Sequence, residues 1–150
     1  MLAKSVAEAA LFSCLLLAAS LWDVRKRIIP DSLCVLIALT GLLTFTPGRL
    51  AGILLCLPLF IAALWKEGGM GGGDVKLTAA CGFVLGLPAG CAGLILGLTA
   101  VLVRHVGLKA IRKLKRMPIK PAKASALPLA PFLSLGFIAV EIIKIGGIPV

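Results

Sequence analysis

The stretch "GGMGGGDVKL", residues 68–77, decides how the rest of the chain is read. Five of its first six residues are glycine, and the run ends on Asp74 with Lys76 two places on. A break of this kind is either a plain connector between two helices or a seat for an acid that does chemistry. The flanking sequence has to choose between them.

The flanks are apolar. The chain has 150 residues, of which 60% are hydrophobic, and a mean hydropathy of +1.11. A soluble domain averages roughly 45–50% apolar. The excess comes in long blocks that carry Gly and Pro, as membrane helices do. No alternation of polar and apolar residues suggests a barrel. The expectation is an all-α polytopic membrane protein forming a single domain over residues 1–150. The net charge of +10 would point to nucleic acid in a soluble chain. Here no aromatic-rich basic patch accompanies it, so nucleic-acid binding is not expected. The five cysteines lie singly in apolar blocks, as small buried hydrophobes do, and form no zinc or disulfide pattern.

Six helices are expected, over about 5–22, 32–45, 50–65, 77–87, 88–103 and 127–143. The apolar run before Trp22 resembles a signal peptide in length, but its cations, Arg25, Lys26 and Arg27, follow it, which favours a retained helix. "IPDS" opens the second helix, with Asp31 or Ser32 as its cap. The long apolar region 77–103 is either one helix or a hairpin bent at Pro88. Charge decides. The hairpin places 13 cations in loops on one side of the membrane and only Lys4, Arg49 and Lys144 on the other. A single helix would move eight of the 13 across. The positive-inside rule selects the hairpin, with both termini outside and the glycine stretch inside. A helix over 77–87 then rises only about 16 Å, against a hydrocarbon core of about 30 Å. So the GGGD loop is expected to dip into the membrane, where irregular backbone must line a cavity or be buried in protein. The basic segment 104–123 reads first as a snorkelling helix end beside anionic lipid, and alternatively as a substrate dock. His105, alone in it, has no metal partner in view.

The chain has six acids: Glu8, Asp23, Asp31, Glu67, Asp74 and Glu141. Acids at membrane depth are expensive and mark function. Asp23, at the inner end of the first helix, and Asp74, at the inner start of the fourth, share a depth and a side. Singly, Asp23 reads as a partner of Arg25 or Arg27, and Asp74 as a helix cap. Together they read as a carboxyl pair that shares one proton and activates water against an amide. Glu141 lies near the outer end of the last helix, away from this pair.

Three segments carry a family resemblance. "DVRKRIIPD" (residues 23–31) joins an aspartate to basic residues and Ile-Pro30. "MGGGDVKL" (residues 70–77) holds GxGD as Gly71, Gly73 and Asp74, with Gly72 between and Lys76 after. "LPLAPFLSLG" (residues 127–136) supplies Pro128, Pro131, Phe132 and Leu133. In this order they resemble the type IV prepilin peptidases, membrane aspartyl proteases of the GxGD class. The resemblance implies that Asp23 and Asp74 are the catalytic pair and that no metal or organic cofactor is needed. It also implies a prepilin or pseudopilin substrate, whose leader is cut at the cytoplasmic face of a bacterial or archaeal membrane. Larger members carry a CxxC-bearing insertion and N-methylate the product. Only a short connector stands here, so peptidase activity alone is expected. The rival is a non-enzymatic subunit or small transporter using the same two aspartates for a cation or proton.

Overall fold

A computed structural model describes residues 2–43, 45–65, 71–114 and 129–146. Pro128 and most of the basic segment's loop, 115–123, lie outside them. Six α-helices and one 3-10 helix follow in order: α1 (Leu2–Lys26), α2 (Asp31–Thr40), the 3-10 helix (Pro47–Cys56), α3 (Leu57–Trp65), α4 (Gly72–Leu85), α5 (Leu87–Leu114) and α6 (Ala130–Ile145). Three stretches are long and apolar enough to cross a membrane: Val6–Lys26, Pro47–Trp65 and Leu87–Ile111. Large apolar side chains face outward, with Leu21 and Leu64 about two thirds exposed and Trp65 at 90%. In water this surface would aggregate; against lipid it costs nothing.

The boundaries depart from expectation for local reasons. α1 runs past residue 22 and takes in Asp23. Arg25 and Lys26 fall in its last turn, where cations complement the helix dipole, and Lys26 stacks 5.0 Å over the Trp22 ring. Arg27 then turns the chain with φ 54°. α2 stops at Thr40 rather than reaching residue 45. Pro30, not an acid side chain, sits at its N-cap, so the expected capping by Asp31 or Ser32 does not occur. The helix expected over 50–65 begins at Pro47 and is wound as 3-10 for ten residues. Such runs are uncommon beyond 3–4 residues. This one coincides with a backbone-to-backbone contact, where Gly52 lies against Gly82 with no room for a side chain on either.

The bend in the long apolar region is present, but at Gly86 rather than Pro88. Gly86 has φ +85°, a conformation that glycine reaches freely. Pro88 then falls in the first turn of α5, where its missing N–H is no loss. The chain folds back here: a Cβ placed on Gly90 falls 3.5 Å from Gly82 Cα and 2.9 Å from Leu55 Cδ2. α4 also begins earlier than expected. Its 14 residues rise about 21 Å at ~1.5 Å each, still short of a full crossing.

The most extensive contact joins α5 to α6, and small residues make it. A Cβ on Gly136 falls 2.6 Å from Gly97 N, and one on Gly93 falls 2.6 Å from Phe137 Cδ1. Close approach of this kind supplies the packing energy between helices when both sides are equally apolar. Phe12 and Leu16 of α1, Leu77 and Cys81 of α4, and Leu133 and Phe137 of α6 are fully buried between the helices. Buried hydroxyls are satisfied within their own helices: Thr78 donates to the Asp74 carbonyl at 2.8 Å and Ser134 to that of Ala130 at 2.7 Å.

Candidate active site

Asp23, in the last turn of α1, lies beside the start of α6, and Asp74, in the first turn of α4, lies within electrostatic reach of Asp23. Both are buried, at 7% and 8% exposed. Two acids 51 positions apart in the chain are brought near each other by the fold alone.

The two carboxyls are held differently. Asp23 Oδ2 accepts a hydrogen bond from the Ala130 backbone N–H at 3.2 Å. Ala130 opens α6, and Pro131 occupies its first turn. A helix start has unused N–H groups and the positive end of the dipole, both suited to a carboxylate. Arg27, one turn on from Asp23, adds a cation in reach and closes the turn with its own N–H to the Asp23 carbonyl at 2.8 Å. Asp74 has no such support. Its Oδ1 is buried without a hydrogen-bond partner among the described residues. Leaving a buried carboxyl oxygen unmatched costs about 1–3 kcal/mol or more; Glu141 Oε2 is the other carboxyl oxygen so placed among the described residues. The N-cap of α4 is Gly71, with no side-chain cap bond, so Asp74 is not a capping residue.

The glycines are therefore not the irregular loop expected of them. Gly72 and Gly73 lie inside the first turn of α4, and Gly71 alone is extended (φ −72°, ψ 133°). One of them has a steric reason. A Cβ on Gly73 falls 3.0 Å from Ile29 Cβ, so Gly73 lets the connector after α1 lie against α4. A Cβ on Gly71 falls 3.6 Å from Asp74 Oδ2, an ordinary contact. At Gly72 a Cβ meets nothing within 4 Å.

The remaining expected residues stand around the pair. Pro30 starts α2 and holds the chain extended after Ile29. Lys76 points away from the aspartates and donates to both Asp31 oxygens at 2.8 Å, an exposed pair with each side chain more than half accessible. Phe132 lies under the Arg104 guanidinium at 5.2 Å. Phe132 and Pro131 act on the site through the start of α6. His105 is exposed on α5. No group of three or more His, Cys, Asp or Glu is arranged to hold a metal among the described residues.

Residue reading missed the Ala130 N–H, because a backbone donor leaves no mark in composition. It also missed a second buried charge group at the far end of the bundle. There Arg49 pairs with Glu8 at 2.9 Å, Glu141 lies 3.9 Å from Lys144, and Lys144 reaches the Leu85 carbonyl at 3.5 Å. Glu8 and Glu141 sit one α-helical length from Asp23 and Ala130 respectively, as antiparallel packing of α1 and α6 requires. The isolated charges of α1 and α6 were the available signal.

A family model described as the type IV leader peptidase family matches residues 10–108. The match covers 99 of 150 residues and includes both aspartates, but ends before α6. No curated protein and no solved structure matches the chain.

Proposed function

The chain belongs to the type IV leader peptidase family, and we propose that it is an intramembrane aspartyl endopeptidase with Asp23 and Asp74 as its catalytic pair. Its substrates are type IV prepilins or pseudopilins, cut at the cytoplasmic membrane face. The observation that carries this is the pair itself. Two buried carboxyls from different helices lie within electrostatic reach, one braced by a helix start and the other with an oxygen left open.

The chemistry follows from the like charges. Two carboxyls brought together in a buried site hold one proton between them, which belongs to the pair rather than to either residue. The ionised member takes a proton from water, and that water attacks the scissile carbonyl carbon. The protonated member donates to the carbonyl oxygen, giving a neutral tetrahedral intermediate. Its collapse breaks the C–N bond: the departing amine takes a proton from one carboxyl while a hydroxyl of the intermediate gives its proton to the other, which restores the single shared proton. No metal or organic cofactor enters any step. Gly71, extended just before Asp74, is where an extended substrate backbone approaches.

The charge distribution supports six crossings with both termini outside and the pair toward the cytoplasm. The shortness of α4 supports a start below the membrane surface. Only residues 27–30 separate α1 from α2, which leaves no room for a methylating insertion, so the activity is cleavage alone.

Co-expression with a prepilin, read as the shortened product on a gel, tests the reading. Asp23→Asn and Asp74→Asn each abolish cleavage while the protein still inserts. Full cleavage by either variant would return the pair to the cation- or proton-binding role of a transporter or non-enzymatic subunit.

A further inference from the structure

The start of α6 is held from two sides, and it carries the donor that braces Asp23. Pro131 has no N–H to give. The N–H groups of Phe132 and Leu133 both return to the Leu129 carbonyl at 3.1 Å. That leaves the Ala130 N–H to reach Asp23 Oδ2, at 3.2 Å. The bond stands at the long end of the range for N–H to oxygen, so a small tilt of this turn loses it.

One hold on the turn is backbone packing. A Cβ on Gly97 falls 3.0 Å from Leu133 Cα and 3.1 Å from the Phe132 carbonyl oxygen, so glycine there lets α5 press directly on the first turn of α6. The other hold is Arg104. It lies seven residues beyond Gly97 on α5, about two turns along the same face. Helical side chains lean toward the N-terminus of their own helix. Arg104 therefore reaches back along α5, and its guanidinium covers the Phe132 ring at 5.2 Å from the centroid. A guanidinium within about 6 Å of an aromatic face is attracted to it, and its planar shape stacks where an ammonium cannot. Arg104 is exposed and Phe132 is half-buried, so the cation covers the turn from outside while Gly97 supports it from within the bundle.

We propose that Arg104 is a positioning residue for the aspartate pair: stacked on Phe132, it fixes the first turn of α6 and with it the Ala130 N–H that orients the Asp23 carboxyl. Arg104 acts through Phe132 and Ala130, not by contact with the reacting atoms. The use made of the Asp23 carboxyl rests on the peptidase reading above; the bracing of it does not.

The test uses full-length enzyme in phosphatidylethanolamine–phosphatidylglycerol vesicles with a full-length pilin precursor. Arg104→Gln removes the cation and keeps a polar side chain. Phe132→Leu removes the ring face and keeps an apolar group. Each is expected to lower kcat by about fivefold with KM unchanged. The double variant also falls by about fivefold, not about twenty-fivefold, because both changes delete one interaction. Arg104→Lys keeps a cation and recovers part of the rate. Lys109→Gln removes the same charge from a position about 140° round the helix and leaves both constants as they were. Hydrogen exchange at the Ala130 amide gives a readout that needs no cleavage. It is expected to quicken by about fivefold in Arg104→Gln and in Phe132→Leu, and to stay at the wild-type rate in Lys109→Gln. A raised KM in Arg104→Gln with normal kinetics in Phe132→Leu makes Arg104 a substrate contact and overturns the proposal. Multiplying losses in the double variant, or unchanged exchange at Ala130, overturn it as well. Failure of the peptidase reading is distinct: wild-type enzyme then cleaves no precursor, while Ala130 exchange still responds to Arg104→Gln.

Discussion

Buried charge gathers at both ends of this bundle, on opposite plans. At one end two acids, Asp23 and Asp74, have one backbone donor, the Ala130 N–H, and one cation, Arg27, in reach of Asp23. At the other end Glu8 and Glu141 are matched in number by Arg49 and Lys144, and the group ties α1, the 3-10 helix, the end of α4 and α6 together. A balanced group can be understood as structure: each charge compensates another in a medium that punishes lone charges. An unbalanced group in the same medium stores unfavourable energy and calls for a use. The contrast separates a clamp from a reactive site by the balance of charge, without reference to any motif; each end also holds one buried carboxyl oxygen with no hydrogen-bond partner among the described residues.

Substitutions at the two ends sharpen that contrast. Arg49→Ala takes from Glu8 its 2.9 Å ion-pair partner and leaves Glu141 one cation poorer, and breaking a buried pair costs about 3–5 kcal/mol. Thermal unfolding in detergent micelles is expected to show a large loss, with the surviving folded fraction still cleaving at the wild-type rate. At the other end, Gly73→Val drives a side chain into Ile29. Overpacking costs about 1–3 kcal/mol, and because it displaces the first turn of α4 it lowers cleavage more than stability. The double variant with Ile29→Ala recovers much of the rate if the clash is the cause. Glu141→Gln keeps the shape of the clamp. Since Glu141 Oε2 stands 3.9 Å from Lys144, beyond a hydrogen bond, melting is expected to shift by no more than about 1 kcal/mol, with cleavage intact. Lys76→Ala breaks an exposed pair, and an effect of about 0–1 kcal/mol on unfolding is expected; any larger change belongs to substrate binding, read as KM.

The contrast was only half legible in the sequence. Charge parity chose a bend in the long apolar region, and the chain does fold back there. Its position was misjudged because proline is a visible helix breaker, whereas Pro88 is harmless in a first turn and Gly86 does the turning. The pairing of Asp23 with Asp74 followed from depth and side, which long apolar helices convey well. The role of the glycines did not follow. Composition suggests flexibility, but Gly73 is small because Ile29 leans on it, a contact made by a residue 44 positions away. The clamp was illegible because four lone charges on three elements have no spacing in common. Partnership across a bundle is a property of packing, and packing is what a linear reading lacks. The same holds for Asp31, which looked like a cap and is the partner of Lys76.

The central claim is that the two unmatched acids are the reactive ones. The direct measurement is the initial rate of leader removal from one prepilin by four reconstituted proteins: wild type, Asp23→Asn, Asp74→Asn and Glu141→Gln, at equal inserted amounts. The account predicts that both aspartate variants fall by about a thousandfold or more, as loss of an essential acid–base group does, while Glu141→Gln stays within about twofold of wild type. An aspartate variant that cleaves at the wild-type rate, or a Glu141→Gln enzyme as dead as Asp74→Asn, would contradict it.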